Sequence, residues 1–379
     1  MIYLDNSATT KPHEAVLKSF QKVSDKYYAN PSSIHPFGGE SEELLRHARI
    51  QAATLLQVQP EEIVFTSGGT EGNNLAIKGI ALKHHGRGKH IITSVVEHPS
   101  VLKACKSLEE FGFDITYLPV NGDGIVSLSD LKKAIRTDTI LVSIMHVNNE
   151  LGSIQPITDI EGIIKNYPKI FFHVDNVQGF GKVPISLKNG GIDLCTLSGH
   201  KIHGLKGTGL LYIKKGTTLY PLLHGGNQER AYRSGTENIA GAVSLVKAIR
   251  LALEQQEKKE GHLYRLQTYA KKNIQDMPYV EWNTPENSAP HIINVSAIGL
   301  KPEIIIHTLA EKGIQISTKS ACSSKELKES SVLMHSGFSR ERAASALRIS
   351  MSHETTQAEI DECLLALKES VHQLKEVLE

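Results

Sequence analysis

The sequence predicts an α/β protein: a large domain built on a seven-stranded, mostly parallel sheet between helices, joined to a smaller α+β domain. Two observations carry that expectation. From about residue 44 to residue 221, short apolar β-rich runs alternate with amphipathic helical stretches, the pattern of an open parallel sheet covered by helices. The chain has 379 residues, beyond the size at which a single core keeps growing, so a second unit is expected.

In chain order, apolar runs at 62–66, 90–94, 114–119, 140–146, 170–174, 194–198 and 209–213 read as strands. Helical periodicity fills 40–56 before the first strand, then 70–85, 100–111, 129–135 and 157–167 between strands. After Ser234 a long helix pattern places Ile239, Val243, Val246, Ile249 and Leu253 on one face, and the charged stretch 254–260 follows. That shift in composition marks a boundary, with 15–255 as the large domain and 1–14 plus 256–379 as the small one. In the latter, 291–296, 314–317 and 346–350 read as strands, and 303–311 and 357–378 as helices.

Charge excludes several partners. Lysine plus arginine (42) nearly balances aspartate plus glutamate (41), so nothing marks a surface for nucleic acid or for an anionic membrane. No apolar run approaches the ~18–20 residues a membrane span needs, and the start of the chain lacks the basic and apolar regions of an export signal. Cys105, Cys195, Cys322 and Cys363 are scattered, without a paired or zinc-ligand spacing, so neither a disulfide framework nor a metal site is expected. A cytoplasmic, reducing setting fits these features.

Chemistry concentrates at the ends of the predicted strands, where open α/β sheets place ligand groups. Strand 62–66, the Ser-Gly-Gly turn ending at Gly69 and the helix opening at Thr70 form a candidate phosphate cradle of free N–H groups at a positive helix end; an ordinary cap has the same look. His98 follows strand 90–94, and Asn149 follows strand 140–146. Asp175 closes the run 170–174, with Gln178 three residues on, and could equally be a helix cap. Lys201 ends Ser198-Gly-His-Lys201, in front of a glycine-rich segment, with Ser198 and His200 beside it. A lysine there and an aspartate 26 residues earlier suit pyridoxal phosphate (PLP): the amine forms a Schiff base, and the carboxylate keeps the pyridine nitrogen protonated. Cys105 and Cys195 lie in apolar elements, and Cys363 lies on the terminal helix. Cys322 stands apart in a small polar segment, where a thiol can ionise and attack. Arg348, in a short strand, needs an anion: a substrate carboxylate or a structural ion pair.

Together these segments resemble the cysteine desulfurases, PLP enzymes of the class V aminotransferase type with fold type I. The resemblance runs nearly end to end, through Tyr3-Leu-Asp-Asn-Ser-Ala-Thr-Thr10, Asn30-Pro-Ser-Ser-Ile-His35, Thr66-Ser-Gly-Gly-Thr-Glu71, Val96-Glu-His98, His146-Val-Asn-Asn-Glu150, His173-Val-Asp175, the Lys201 motif, Arg233-Ser-Gly-Thr-Glu-Asn238, Ser320-Ala-Cys322 and Leu347-Arg348-Ile-Ser350. It implies Lys201 as the Schiff-base lysine and proton-transfer base, Asp175 on the pyridinium, Gln178 on the ring oxygen and His98 stacked on the ring. Gly69, Thr70, Ser198 and His200 would hold the phosphate, with Thr236 reaching in from the partner of a homodimer. Asn149 and Arg348 would bind near the cofactor oxygen and the L-cysteine carboxylate. Cys322 would take the sulfur as a persulfide, leaving L-alanine, and pass it to an acceptor protein such as an iron–sulfur scaffold or a tRNA or thiamine thiolation enzyme. Only 26 residues separate Cys322 from Arg348, which resembles the group with a short cysteine loop. Asn176 and Leu205 depart from the residues common at their positions, and Ser7 replaces a common alanine. Selenocysteine lyase or another class V aminotransferase is the neighbouring chemistry, and a silent platform for sulfur acceptors is the non-enzymatic one.

Overall fold

The structure, a computed structural model, describes residues 1–188, 190–318 and 329–378. Strand β1 (Ile2–Tyr3) leads into helices α1 (Glu14–Lys26) and α2 (Pro36–Leu56). Then β2 (Ile63–Thr66), α3 (Gly69–His84), β3 (His90–Ser94), α4 (Pro99–Glu109), β4 (Asp114–Leu118), α5 (Leu128–Ala134), β5 (Thr139–Met145), α6 (Ile157–Ile164) and β6 (Phe171–Asp175) alternate. Strands β7 (Leu194–Ser198) and β8 (Gly209–Ile213) follow. The rest is α7 (Ile239–Lys258), α8 (His262–Gln275), β9 (Val280–Trp282), β10 (Ile292–Ala297), α9 (Pro302–Glu311), β11 (Ile314–Gln315), α10 (Ser331–His335), α11 (Arg340–Ala344), β12 (Ala346–Ser350) and α12 (Gln357–Leu378).

Every side chain of β3, β5, β7 and β8 is buried, as expected of strands covered on both faces. The seven predicted strands form one sheet in the order β2-β8-β7-β6-β5-β3-β4. Neighbours from β7 to β4 run parallel, and β8 alone runs against both β2 and β7. The carboxyl ends of β2, β7, β6, β5 and β3 therefore share one edge, and each is followed by a segment carrying predicted site residues.

Helix starts follow local chemistry. His98 caps α4 with its side chain ahead of Pro99 at the first helical position, and Gly68, at φ +150°, opens α3 in a conformation that favours glycine. Predicted ends move where such signals intervene. The first strand begins at Ile63 because Pro60–Glu62 forms a 3₁₀ turn, and α6 ends at Ile164, three residues short of the expected end.

Two large apolar clusters flank the sheet. Another, made by Ile2 and Leu4 with α8, α9, α12, β10 and β12, packs the C-terminal elements. Sequence reading did not place α1, α8, β9 or the short α10 and α11. Helix α1 packs on α7 but buries only Val16 and Val23, a stripe too thin to stand out. No helix among the described residues is long and apolar enough to cross a membrane.

Candidate functional site

The phosphate cradle comes first in the chain. A Cβ on Gly69 would lie 2.9 Å from Val177 Cγ2 and one on Gly209 would lie 2.6 Å from the Gly68 backbone, so both glycines permit a close approach of chain to chain. Ser198 Oγ, at the end of β7, is buried beside this turn without a hydrogen-bond partner. His200 sits in the 3₁₀ turn Gly199–Lys201, its Nδ1 3.2 Å from Thr9 Oγ1. Burial, with Lys201 and Lys206 nearby, lowers its pKa to about 4, so the ring is neutral.

Asp175 ends β6 with both oxygens held: Oδ1 accepts from Val177 N at 3.0 Å and Oδ2 from Asn73 Nδ2 at 2.7 Å. A second carboxylate lies below. Glu97 accepts from Ser94 Oγ and Met145 N, but burial raises its pKa to about 8 and Asp175 adds to the shift. Glu97 is thus protonated at neutral pH. His173, two residues before Asp175, bridges Ser143 and Thr196 across the sheet; burial takes its pKa to about 3, so it is a structural residue. Gln178 donates Nε2 to Ser7 O at 2.9 Å, while Oε1 is buried without a partner.

Lys201 is reached by the N-terminal segment. Its Nζ donates to Ser7 O at 2.5 Å and to Ala8 O at 2.8 Å. Thr10 N donates to His200 O, Thr10 Oγ1 accepts from His203 N, and His13 N donates to His203 O. Residues 7–13 are thereby laced along the Lys201 turn. Arg348, 1% exposed, donates to Asp5 Oδ1 at 2.8 Å and to Asn149 O at 3.0 Å, and its Nε has no partner. The ion-pair reading of Arg348 holds, and an unsatisfied guanidinium edge remains.

These groups meet in one cavity of about 240 Å³, lined by Gly69, Thr70, His98, Asn149, Asp175, Gln178, Ser198, His200, Lys201 and Arg348 among others. Ten of the predicted site residues are brought together there. Thr236 is not; it is exposed and lies outside the cavity lining. Arg233, near it, is tied to the start of α3 by Arg233 Nε–Glu71 Oε1 at 3.0 Å. Cys322 lies outside the described residues. Cys105, Cys195 and Cys363 are buried, and burial pushes all three thiols up, as core residues require.

PLP fits this donor set. A half-buried lysine amine, a carboxylate held by fixed donors and an anion-receptive helix start with an orphaned serine hydroxyl line one space. Sequence reasoning missed Ser7, Asn73 and Ser100 in the lining. Asn73 carried a signal, being one helical turn beyond Gly69 and Thr70 and so on their face; Ser100 carried none beyond its closeness to His98.

Comparison with known proteins adds to this geometry. The family described as Aminotransferase class-V matches residues 2–363. A cysteine desulfurase IscS of Dictyoglomus turgidum is 43% identical over 99% of this chain and 96% of its own length. The enzyme of that name from Methanosarcina thermophila is 44% identical over 99% and 93%. A solved NifS-like protein superposes with a TM-score of 0.91 at 37% identity, covering 97% of this chain and 98% of the other. SspA, solved in complex with cysteine, gives 0.80 at 35% identity, covering 94% and 100%.

Proposed function

The chain belongs to the class V aminotransferase family, and from that premise we propose that it is a PLP-dependent cysteine desulfurase, converting L-cysteine to L-alanine and taking the sulfur onto Cys322. The observation that carries the reading is the convergence of Lys201, Asp175 and Arg348 on one cavity. PLP, when bound, supplies an electron sink that makes the Cα proton of the amino acid removable. Lys201 would hold the cofactor through its amine, and the same amine lies in the cavity to carry the Cα proton. Asp175, already fixed by two donors, meets the pyridine nitrogen. Gly69, Thr70, Ser198 and His200 receive the phosphate, Gln178 and Asn149 orient the ring oxygen, and His98 covers the ring. Arg348 binds the L-cysteine carboxylate with its unsatisfied edge.

A second copy of the chain completes the site through Thr236. Residues 15–255 form the PLP-binding domain, and 1–14 with 256–379 form the small domain that carries Cys322. The persulfide then leaves for an acceptor protein in iron–sulfur assembly or in tRNA or thiamine thiolation, in the cytoplasm. The test is Cys322→Ser. Cofactor colour is retained and persulfide on the chain is lost; persulfide formation at the wild-type level in that variant refutes the role.

A further inference from the structure

We propose that Asn73 and Ser100 are positioning residues that relay the orientation of Asp175 to His98 and fix the proton of the neutral His98 ring on Nε2. A carboxylate only accepts, so the Asn73 group 2.7 Å from Asp175 Oδ2 is the amide NH₂. The same nitrogen lies 2.8 Å from Ser100 Oγ, which therefore accepts and has its one hydrogen left to give. His98 Nδ1 is 2.8 Å from that oxygen. Ser100 N, which can only donate, is 3.1 Å from the same Nδ1. Two donors thus converge on Nδ1, which must keep its lone pair, and the ring hydrogen sits on Nε2.

Burial favours this neutral form. Asn73 is 1% and Ser100 8% exposed, and desolvation is the largest influence lowering the His98 pKa. Among the described residues, the titratable groups that act on the ring include Asp175, which opposes that shift, Lys201, which adds to it, and His200, which is itself neutral. Charging His98 on Nδ1 would set an N–H against the fixed Ser100 N–H. The consequence rests on the desulfurase reading: His98 enters the reaction as an Nε2–H donor, and the proton-abstracting role is left to Lys201. Neither Asn73 nor Ser100 was assigned a part in that chemistry.

The test is nitrogen NMR of the full-length holoenzyme labelled with ¹⁵N-histidine, with the His98 signals identified by their loss in His98→Gln, repeated on the cofactor-free protein. The expected pattern at neutral pH is a protonated Nε2 and a bare Nδ1. Ser100→Ala removes one donor to Nδ1 and raises the His98 titration midpoint by up to about one pH unit, tenfold in the protonation equilibrium. Ser100→Thr, which keeps the hydroxyl, restores it. Nδ1 protonated in the wild type, or an unmoved midpoint in a folded Ser100→Ala chain, overturns the relay. Should Ser100→Ala not fold, the wild-type tautomer decides alone. A protein with the expected tautomer that releases no alanine from L-cysteine sinks the desulfurase reading and leaves the relay standing.

Discussion

Lys201 lines two cavities: burial lowers histidine pKa values in both, and the two differ in the partners their charged groups are given. The front one, about 240 Å³, holds its carboxylate and its guanidinium against fixed partners. Asp175 is held by the Asn73 amide and the Val177 N–H, and Arg348 by Asp5 and the Asn149 carbonyl. The rear one, about 40 Å³, is lined by His13, Lys182, His203, His353 and Glu354 among others. Lys182 Nζ donates to Lys201 O at 3.0 Å, and burial, helped by the Lys201 charge, lowers its pKa to about 7. Burial likewise lowers His203 and His353, although each is hydrogen-bonded to a backbone carbonyl, of Lys11 and Gly181. What differs is the partner: an ion pair and amide donors fixed at hydrogen-bond distance hold Arg348 and Asp175 in front, whereas Lys182, His203 and His353 behind are hydrogen-bonded to backbone carbonyls.

The sharpest way to break this contrast is Lys201→Ala, the one residue common to both cavities. If the front cavity carries the chemistry, alanine formation falls by roughly 10²–10⁴-fold or more, the range for loss of a general base, while the fold and the Lys182 bond to the backbone at 201 persist. Steady-state alanine release and a thermal melt check this together. Activity within tenfold of wild type would place the reaction elsewhere.

Arg348→Ala is next. Loss of hydrogen bonds to a charged substrate group costs roughly 1.5–3 kcal/mol, so KM for L-cysteine should rise about 10–100-fold, with a smaller change in kcat. A fall in kcat at constant KM would mean that the guanidinium serves only its Asp5 ion pair.

How much of this contrast was legible before the structure differs between the cavities. Strands 90–94, 194–198 and 209–213 match the observed ends because strands buried on both faces appear as unbroken apolar runs. Their order then fixes which loops share an edge, which is why ten front-cavity residues could be named from motifs. Residues whose contribution is a hydrogen bond across the fold were hidden. Asn73 reaches Asp175 over 102 positions, and the Ser7 carbonyl reaches Lys201 over 194. The rear cavity was illegible because Lys182 and His353 look like surface residues in sequence, and only packing removes their water. Helix α8 was readable, with Leu263, Leu266, Ala270 and Ile274 on one face, yet it stood behind the charged stretch taken as a boundary.

The smallest effect tests the charge logic through stability. Glu97, under the front cavity, has its pKa raised from 4.5 to about 8, so between those values the folded chain holds a proton that the unfolded chain has lost. Its contribution to stability is therefore full below about 4.5 and declines as pH rises towards 8. Lys182, beside the rear cavity, has its pKa lowered from 10.5 to about 7, so between those values the unfolded chain holds the extra proton and stability rises with pH. The two slopes have opposite sign, in windows that overlap between about pH 7 and 8. Denaturant unfolding of wild type against Glu97→Gln from pH 5 to 8 should show the wild type losing ground steadily. Against Lys182→Met from pH 7 to 10, it should gain ground. Parallel curves for Lys182→Met would mean that the ammonium keeps its charge inside the protein, and the two cavities would then differ in shape but not in how they handle ions.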